Sequence, residues 1–269
     1  MNGTNGYAVD DIPGLGDCLP RDDAFGSVFS AYEETQVVYP RSQWEQIVRE
    51  HVGLEFLVRR IKNQGQEGSC APNATTQAWE IAWNNAHGPA NWIEASPISI
   101  YRWVASRPST GSTISDNLRQ LRDVGLLPTK TPTNQAILKK VSLPESHVLA
   151  ATGYYQSFPD GWKDTAKHFR GAELFDIESF DGFVSAIFEG FPVVYGRAGH
   201  AICGVRVVLR NGVWTIKYAN SWGGDWGEGG YGYDSEGYIS GAIRSYGAWA
   251  LRAPTLTDEF LALTEHDNG

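Results

Sequence analysis

The chain has 269 residues, 42% hydrophobic and 20% charged, enough for one large domain or two modest lobes around a real core. A formal net charge of −9 speaks against an electrostatic grip on nucleic acid or on an anionic membrane. Three cysteines, Cys18, Cys70 and Cys203, are too few for a disulfide framework. No window reaches the roughly 18 apolar residues of a membrane-spanning helix. The first ten residues lack the basic start and apolar core of a secretory signal, so a reducing compartment such as the cytoplasm is expected. Ten Trp, twelve Tyr and thirty Gly point to a loop-rich, aromatic-packed fold.

Residues 1–35 are rich in Gly, Asp and Pro and read as an extended arm that packs across the rest. A helix is predicted over 40–51, with Ser42 and Glu45 as a capping box. Residues 54–61 are apolar and lead into the glycine-rich loop Asn63-Gln64-Gly65-Gln66-Glu67-Gly68-Ser69. From Cys70, small and apolar residues recur at three- and four-residue spacing to about residue 86, and Pro72 suits a first helical turn. Cys70 therefore opens a helix. Residues 98–105 are apolar, helical or extended, and a further helix follows the 111–116 loop and ends at Gly125. Residues 128–133, rich in Pro, Thr and Lys, read as a linker between lobes. Strands are expected over 148–158, 172–177 and 191–195, with a helix over 180–188 between the last two. Residues 200–209 and 213–219 form a hairpin about Asn211-Gly212. A second glycine-rich loop over 222–230, further strand-like segments and an acidic tail complete the chain. Helices first and strands second give an α+β fold. Its parts are an N-terminal extension (1–55), a helical lobe (56–130), a β-rich lobe (131–254) and the tail (255–269).

A thiol is a useful nucleophile only as thiolate, which a helix N-terminus and a neighbouring imidazolium both favour. Cys70 has the first by placement, and His200 supplies the second if the fold brings it near. His200 would also protonate a leaving amine. Its other ring nitrogen needs an orienting partner, for which Asn220 offers an amide. The Gln64 amide and the Cys70 backbone N–H would suit a developing oxyanion. His51, His87, His147, His168 and His266 show no metal-like spacing, so neither a metal nor another cofactor is expected. Cys203, three residues past His200, falls on the opposite strand face and reads as core.

These blocks resemble papain-like (C1 family) cysteine peptidases. The match rests on Asn63-Gln64-Gly65 with Gly68-Ser69-Cys70, on Gly199-His200-Ala201-Ile202, and on Asn220-Ser221-Trp222-Gly223 with Trp226-Gly227-Glu228-Gly229-Gly230-Tyr231. Three ordered blocks, with 130 residues from Cys70 to His200 and 150 from Cys70 to Asn220, cover about residues 61–252. The resemblance implies a two-lobe fold, with the nucleophile on a central helix of the helical lobe and an antiparallel, barrel-like β lobe carrying His and Asn. It implies that Cys70 is the nucleophile, His200 its partner, Asn220 the orienting amide and Gln64 an oxyanion donor. Trp222 would shield the His–Asn hydrogen bond, and Trp226 would line the leaving-group side. Gly111 and Ser112 would pair with the substrate backbone. Ile114, Ala198 and Ala201 would line an apolar specificity pocket for a peptide or protein substrate.

The sequence departs from the family pattern in three places. Ala71 replaces the usual tryptophan, Glu67 replaces a disulfide cysteine, and no inhibitory prodomain is recognisable. The disulfide-poor pattern resembles bacterial and bacteriophage members more than lysosomal or plant enzymes. Three readings follow: an endopeptidase acting through a thioester; a cell-wall peptide amidase or acyl transferase; or a papain-like structural component, for example of a phage particle, whose N-terminal extension binds assembly partners.

Overall fold

The alternating apolar segments of the chain build a single seven-stranded sheet in the computed structural model, which describes residues 18–21, 29–88, 92–106, 110–138, 158, 160–171 and 173–253. Its strands are β1 (Ser30–Ala31), β2 (Glu173–Asp176), β3 (Val193–Arg197), β4 (His200–Arg210), β5 (Val213–Ala219), β6 (Tyr231–Ser235) and β7 (Ala248–Arg252). They lie in the order β1-β2-β7-β3-β4-β5-β6. Among the described strands only β1 and β2 pair in parallel. The β4–β5 hairpin turns on Asn211 and Gly212, at φ of 51° and 77°, the left-handed pair that a tight hairpin demands.

The helices are α1 (Tyr32–Thr35), α2 (Arg41–Glu50), α3 (Cys70–His87), α4 (Ile98–Val104), α5 (Ile114–Asp123), α6 (Pro132–Ile137), α7 (Trp162–Ala166), α8 (Phe180–Phe188) and α9 (Glu236–Tyr246). α3 is buried at every position from Cys70 to Asn84, which makes it a core element and not an amphipathic cover. It packs on β4 and β7. Trp79 and Trp83 stack at 4.9 Å within a cluster that Val194, Cys203, Val205 and Leu251 complete from one sheet face. The intervening residues Val193, Tyr195 and Ile202 belong to a second cluster, on the opposite face, with Phe183, Val184 and Ile187 of α8. Trp44 of α2 joins that cluster, edge-on to Phe180 and Trp214.

Four sequence expectations need correction. α2 starts at Arg41, so Ser42 lies inside the helix and no side chain caps it. The start is set by tertiary contacts: the Arg41 guanidinium bonds Asp181 at 2.6 Å and Glu236 at 2.7 Å. The end of the expected linker opens α6, with Thr131 accepting from the Asn134 N–H and Pro132 at the first turn. Residues 236–246 are helix, not strand; Ile239, Ala242 and Ile243 are its buried side. The end of the expected arm is not extended throughout: Tyr32–Thr35 is the helix α1, with Tyr32 fully buried and the Glu33 carboxylate accepting from the Ser179 N–H. The expected strand at 148–158, apart from Phe158, and the acidic tail lie outside the described residues.

Gly125 ends α5 as the sequence predicts. Its φ is +101°, its N–H donates to Gln120 O at 3.0 Å, and an added Cβ would stand 1.9 Å from the Ala166 carbonyl oxygen. Gly125→Ala combines a left-handed backbone with a clash against fixed main chain. The expected loss is roughly 2–4 kcal/mol, read as a lower denaturant midpoint with unchanged slope.

Candidate active site

Two backbone connections assemble the site. The loop before α3 pairs with the loop after β5: Asn63 bridges Trp222, Gln64 N–H donates to Ser221 O at 2.8 Å, and Gly223 N–H donates to Lys62 O at 3.0 Å. This pairing carries Gln64 and Asn220 to the same place. The packing of α3 on β4 brings the helix that Cys70 opens against the strand that His200 opens.

Cys70 is fully buried in the first turn of α3. Asn73 holds that turn, its Nδ2 donating to Ser69 O at 2.7 Å and to Ser69 Oγ at 3.1 Å. The helix N-terminus carries partial positive charge and favours a thiolate there. Gln64 is also fully buried. Its Oε1 accepts from Ser221 Oγ at 2.6 Å and its Nε2 donates to Glu67 O at 2.7 Å, so the amide cannot flip without losing both bonds. Glu67 is itself buried, with Oε2 lacking a hydrogen-bond partner, and burial raises its pKa.

His200 Nε2 lies 2.7 Å from Asn220 Oδ1, which also accepts from the Ser221 N–H at 2.8 Å. An amide oxygen can only accept, so Nε2 carries the proton and, in the neutral ring, Nδ1 carries the lone pair. Nδ1 is buried without a hydrogen-bond partner. The ring stacks on Trp222 at 4.5 Å, and Trp226 stands edge-on to Trp222 at 5.3 Å. Burial pulls the His200 pKa from 6.5 to about 4; the Asn220 bond works in the opposite direction, and Arg197 adds to the lowering.

The sign of that shift gives a testable stability profile. Between pH 6.5 and about 4 the unfolded chain binds a proton at His200 that the native chain does not. Native stability from this group is therefore whole above pH 6.5 and lost as pH falls through about 4. The full loss is about 3 kcal/mol. Denaturant midpoints measured across this range should fall with acid, and the His200→Gln variant should flatten the profile. Equal slopes in the two proteins would show that His200 is not the group responsible.

The remaining sequence candidates fall on the elements that flank α3 and β4. Ile114 and Ala201 are buried in the same cluster as Cys70. Gly111 and Ser112 border the start of α5, with Ser112 Oγ accepting from Asn117 Nδ2 at 2.8 Å. Ala198 sits on the exposed β3–β4 turn at φ 41°, followed by Gly199 at 78°. Sequence reasoning missed Ser221, which orients both amides from one position beside Asn220. It also missed Cys18. That residue bridges Ser112 in parallel and donates its N–H to Gly199 O at 2.7 Å. A short segment of the N-terminal arm thus crosses the groove between α5 and the β3–β4 turn. Among the described residues no group of three or more His, Cys, Asp or Glu could hold a metal ion. No described helix is long and apolar enough to cross a membrane.

No protein-family model matches the sequence, and no curated protein matches it. Solved structures do match the fold. Digestive procathepsin L 3 from the Tenebrio molitor larval midgut superposes with a TM-score of 0.63 at 17% identity, over 89% of this chain and 77% of that one. Xylellain, a cysteine protease from Xylella fastidiosa, superposes at 0.61 and 18% identity, over 90% of this chain and 97% of that one. The procathepsin L2 proteinase of the same midgut superposes at 0.60 and 16%, over 94% and 82%. With its helix-borne Cys70, its strand-borne His200 and these neighbours, the chain has the papain-like cysteine-protease fold.

Proposed function

We propose that the chain is a thiol-dependent endopeptidase. The observation that carries this reading is the buried His200–Asn220 bond, which leaves Nδ1 as a base without a partner on the strand packed against the helix of Cys70. In the proposed reaction the Cys70 proton moves to His200 Nδ1 and the thiolate attacks the peptide carbonyl carbon. The oxyanion is held by the Gln64 amide and the Cys70 N–H. The C–N bond then breaks, with the Nδ1 proton passing to the leaving amine, and a thioester remains on Cys70. Water, deprotonated by Nδ1, hydrolyses it and restores the thiol. Asn220 keeps the ring in the required tautomer, and Trp222 covers that hydrogen bond. Gly111 and Ser112 present backbone to an extended peptide, whose side chain would enter the apolar surroundings of Ile114 and Ala201. Trp226 faces the departing half.

The test is digestion of a peptide library by the reduced full chain from acid to neutral pH, with a Cys70→Ala control. Cleavage that iodoacetamide and the Cys70 substitution both abolish is the expected result. Rapid Cys70 alkylation with no cleaved peptides would overturn the peptidase reading and favour an amidase or acyl transferase. Inert Cys70 at every pH would favour a structural component.

A further inference from the structure

The arm segment in the groove is anchored on both walls. On the α5 side, Cys18 pairs with Ser112 and the Leu19 N–H donates to Ser112 O at 3.3 Å. On the other side, the Cys18 N–H reaches Gly199 O of the β3–β4 turn at 2.7 Å, and the Arg21 N–H reaches Ser245 O of α9 at 3.3 Å. The Arg21 guanidinium bonds the buried Asp176 carboxylate at 2.7 Å and lies over the Trp249 ring. Leu19 is 47% exposed and Cys18 only 4%. Cys18 therefore faces inward, and it shares one buried cluster with Cys70, Ile114 and Ala201. Burial pushes the Cys18 thiol pKa up, and the charge of Cys70 pushes it further.

We propose that Cys18 and Cys70 form a reversible disulfide that locks the arm in the groove under oxidising conditions. This rests on the proposal that Cys70 is a reactive nucleophile. The oxidant is a low-molecular-weight disulfide of the glutathione type. With the arm lifted, the Cys70 thiolate attacks one sulfur of that disulfide, forming a mixed disulfide and releasing one small thiolate. As the arm reseats, Cys18 gives its proton to that thiolate, attacks the Cys70 sulfur and expels the second small thiolate. Two protein thiols are oxidised by two electrons, and one small disulfide is reduced to two thiols. In the closed state both protein thiols are buried, so a dithiol reductant must catch the arm in its open excursions. The backbone bonds that seat Cys18 hold it near Cys70 whatever its redox state and give the closing step its high effective concentration.

The test is peptide mapping without reduction, on the native full chain equilibrated with oxidised and reduced glutathione in varying ratio. The expected result is a single cross-linked pair of peptides, one with Cys18 and one with Cys70. Free-thiol labelling at both positions should disappear together, and dithiothreitol should restore it. Cys203 should stay unmodified. Cys18→Ser should replace the cross-link with a glutathione adduct on Cys70. A glutathione adduct on Cys70 of the unmutated chain, with Cys18 still free, would overturn the latch and leave the nucleophile reading intact. A pair involving Cys203 would overturn the latch. Failure of Cys70 to react with either glutathione or iodoacetamide would overturn both.

Discussion

Replacing His200 with alanine will slow peptide hydrolysis by roughly 10³- to 10⁴-fold and will slow iodoacetamide labelling of Cys70 at neutral pH. The fold assigns this ring a tautomer: Asn220 Oδ1, already accepting from Ser221, compels Nε2 to donate, so Nδ1 is the basic nitrogen. No hydrogen-bond partner occupies it. Burial holds the resting ring neutral down to about pH 4, which suits a base awaiting a proton and not a standing cation. Peptide binding or a lifted arm changes that surrounding, and a charged partner at Cys70 would raise the pKa again. Removing the ring takes away both the proton acceptor for attack and the donor for the leaving amine, so the loss should appear in kcat more than in KM. Asn220→Ala keeps the ring and frees its orientation, and should cost less. Steady-state rates with a cleaved library peptide, together with timed alkylation, measure both. Labelling of Cys70 at an unchanged rate in the His200→Ala variant would mean that the thiol owes nothing to the imidazole.

What the sequence made readable follows from how local each signal is. Cys70 at a helix start needs only Pro72 and the spacing of the alanines, and α3 begins there. The hairpin needs only Asn211-Gly212, and Gly125 closes α5 by its own backbone freedom. Gln64, His200 and Asn220 stand out in the sequence because their blocks are short and the chemistry restricts their residue types. The misses involve distant partners. Nothing around Cys18 hints that its N–H meets Gly199, 181 residues away, or that its side chain is buried. α9 is rich in Gly, Ser and Tyr, weak helix formers, and its Ile239, Ala242 and Ile243 pattern gains meaning only through contact with the sheet. The false capping box at Ser42 and Glu45 failed because Arg41 has two carboxylates on other elements to satisfy. Lys62 and Glu80 look like surface charges in sequence, yet both are buried.

That last pair should give a large stability effect. Glu80→Ala is expected to destabilise the fold by about 3–5 kcal/mol, or roughly 10 °C in melting temperature. Lys62 Nζ lies 2.8 Å from Glu80 Oε1, with side-chain exposures of 6% and 3%. The same oxygen accepts from the Ala95 N–H at 2.6 Å, and Lys62 Nζ also reaches Ala95 O at 3.3 Å. Burial raises the Glu80 pKa, while the Lys62 ammonium and the Ala95 N–H act to lower it. Truncation at Glu80 strands an ammonium and a backbone donor away from water, which costs more than the pair itself contributes. The double variant Lys62→Met with Glu80→Leu removes both charges and should recover most of the loss, because no uncompensated ion remains. The consequence reaches the site as well. Glu80 stands on α3, ten residues past Cys70, and Lys62 stands two residues before Gln64, in the segment that pairs with Ser221 and Gly223. The ion pair therefore ties the helix carrying the nucleophile to the segment carrying the proposed oxyanion donor. Glu80→Ala should also lower turnover at temperatures where the protein is still folded, and the double variant should restore stability more fully than rate. Equal stability of Glu80→Ala and the unmutated chain would mean that water reaches Lys62, and the pair would then hold nothing together.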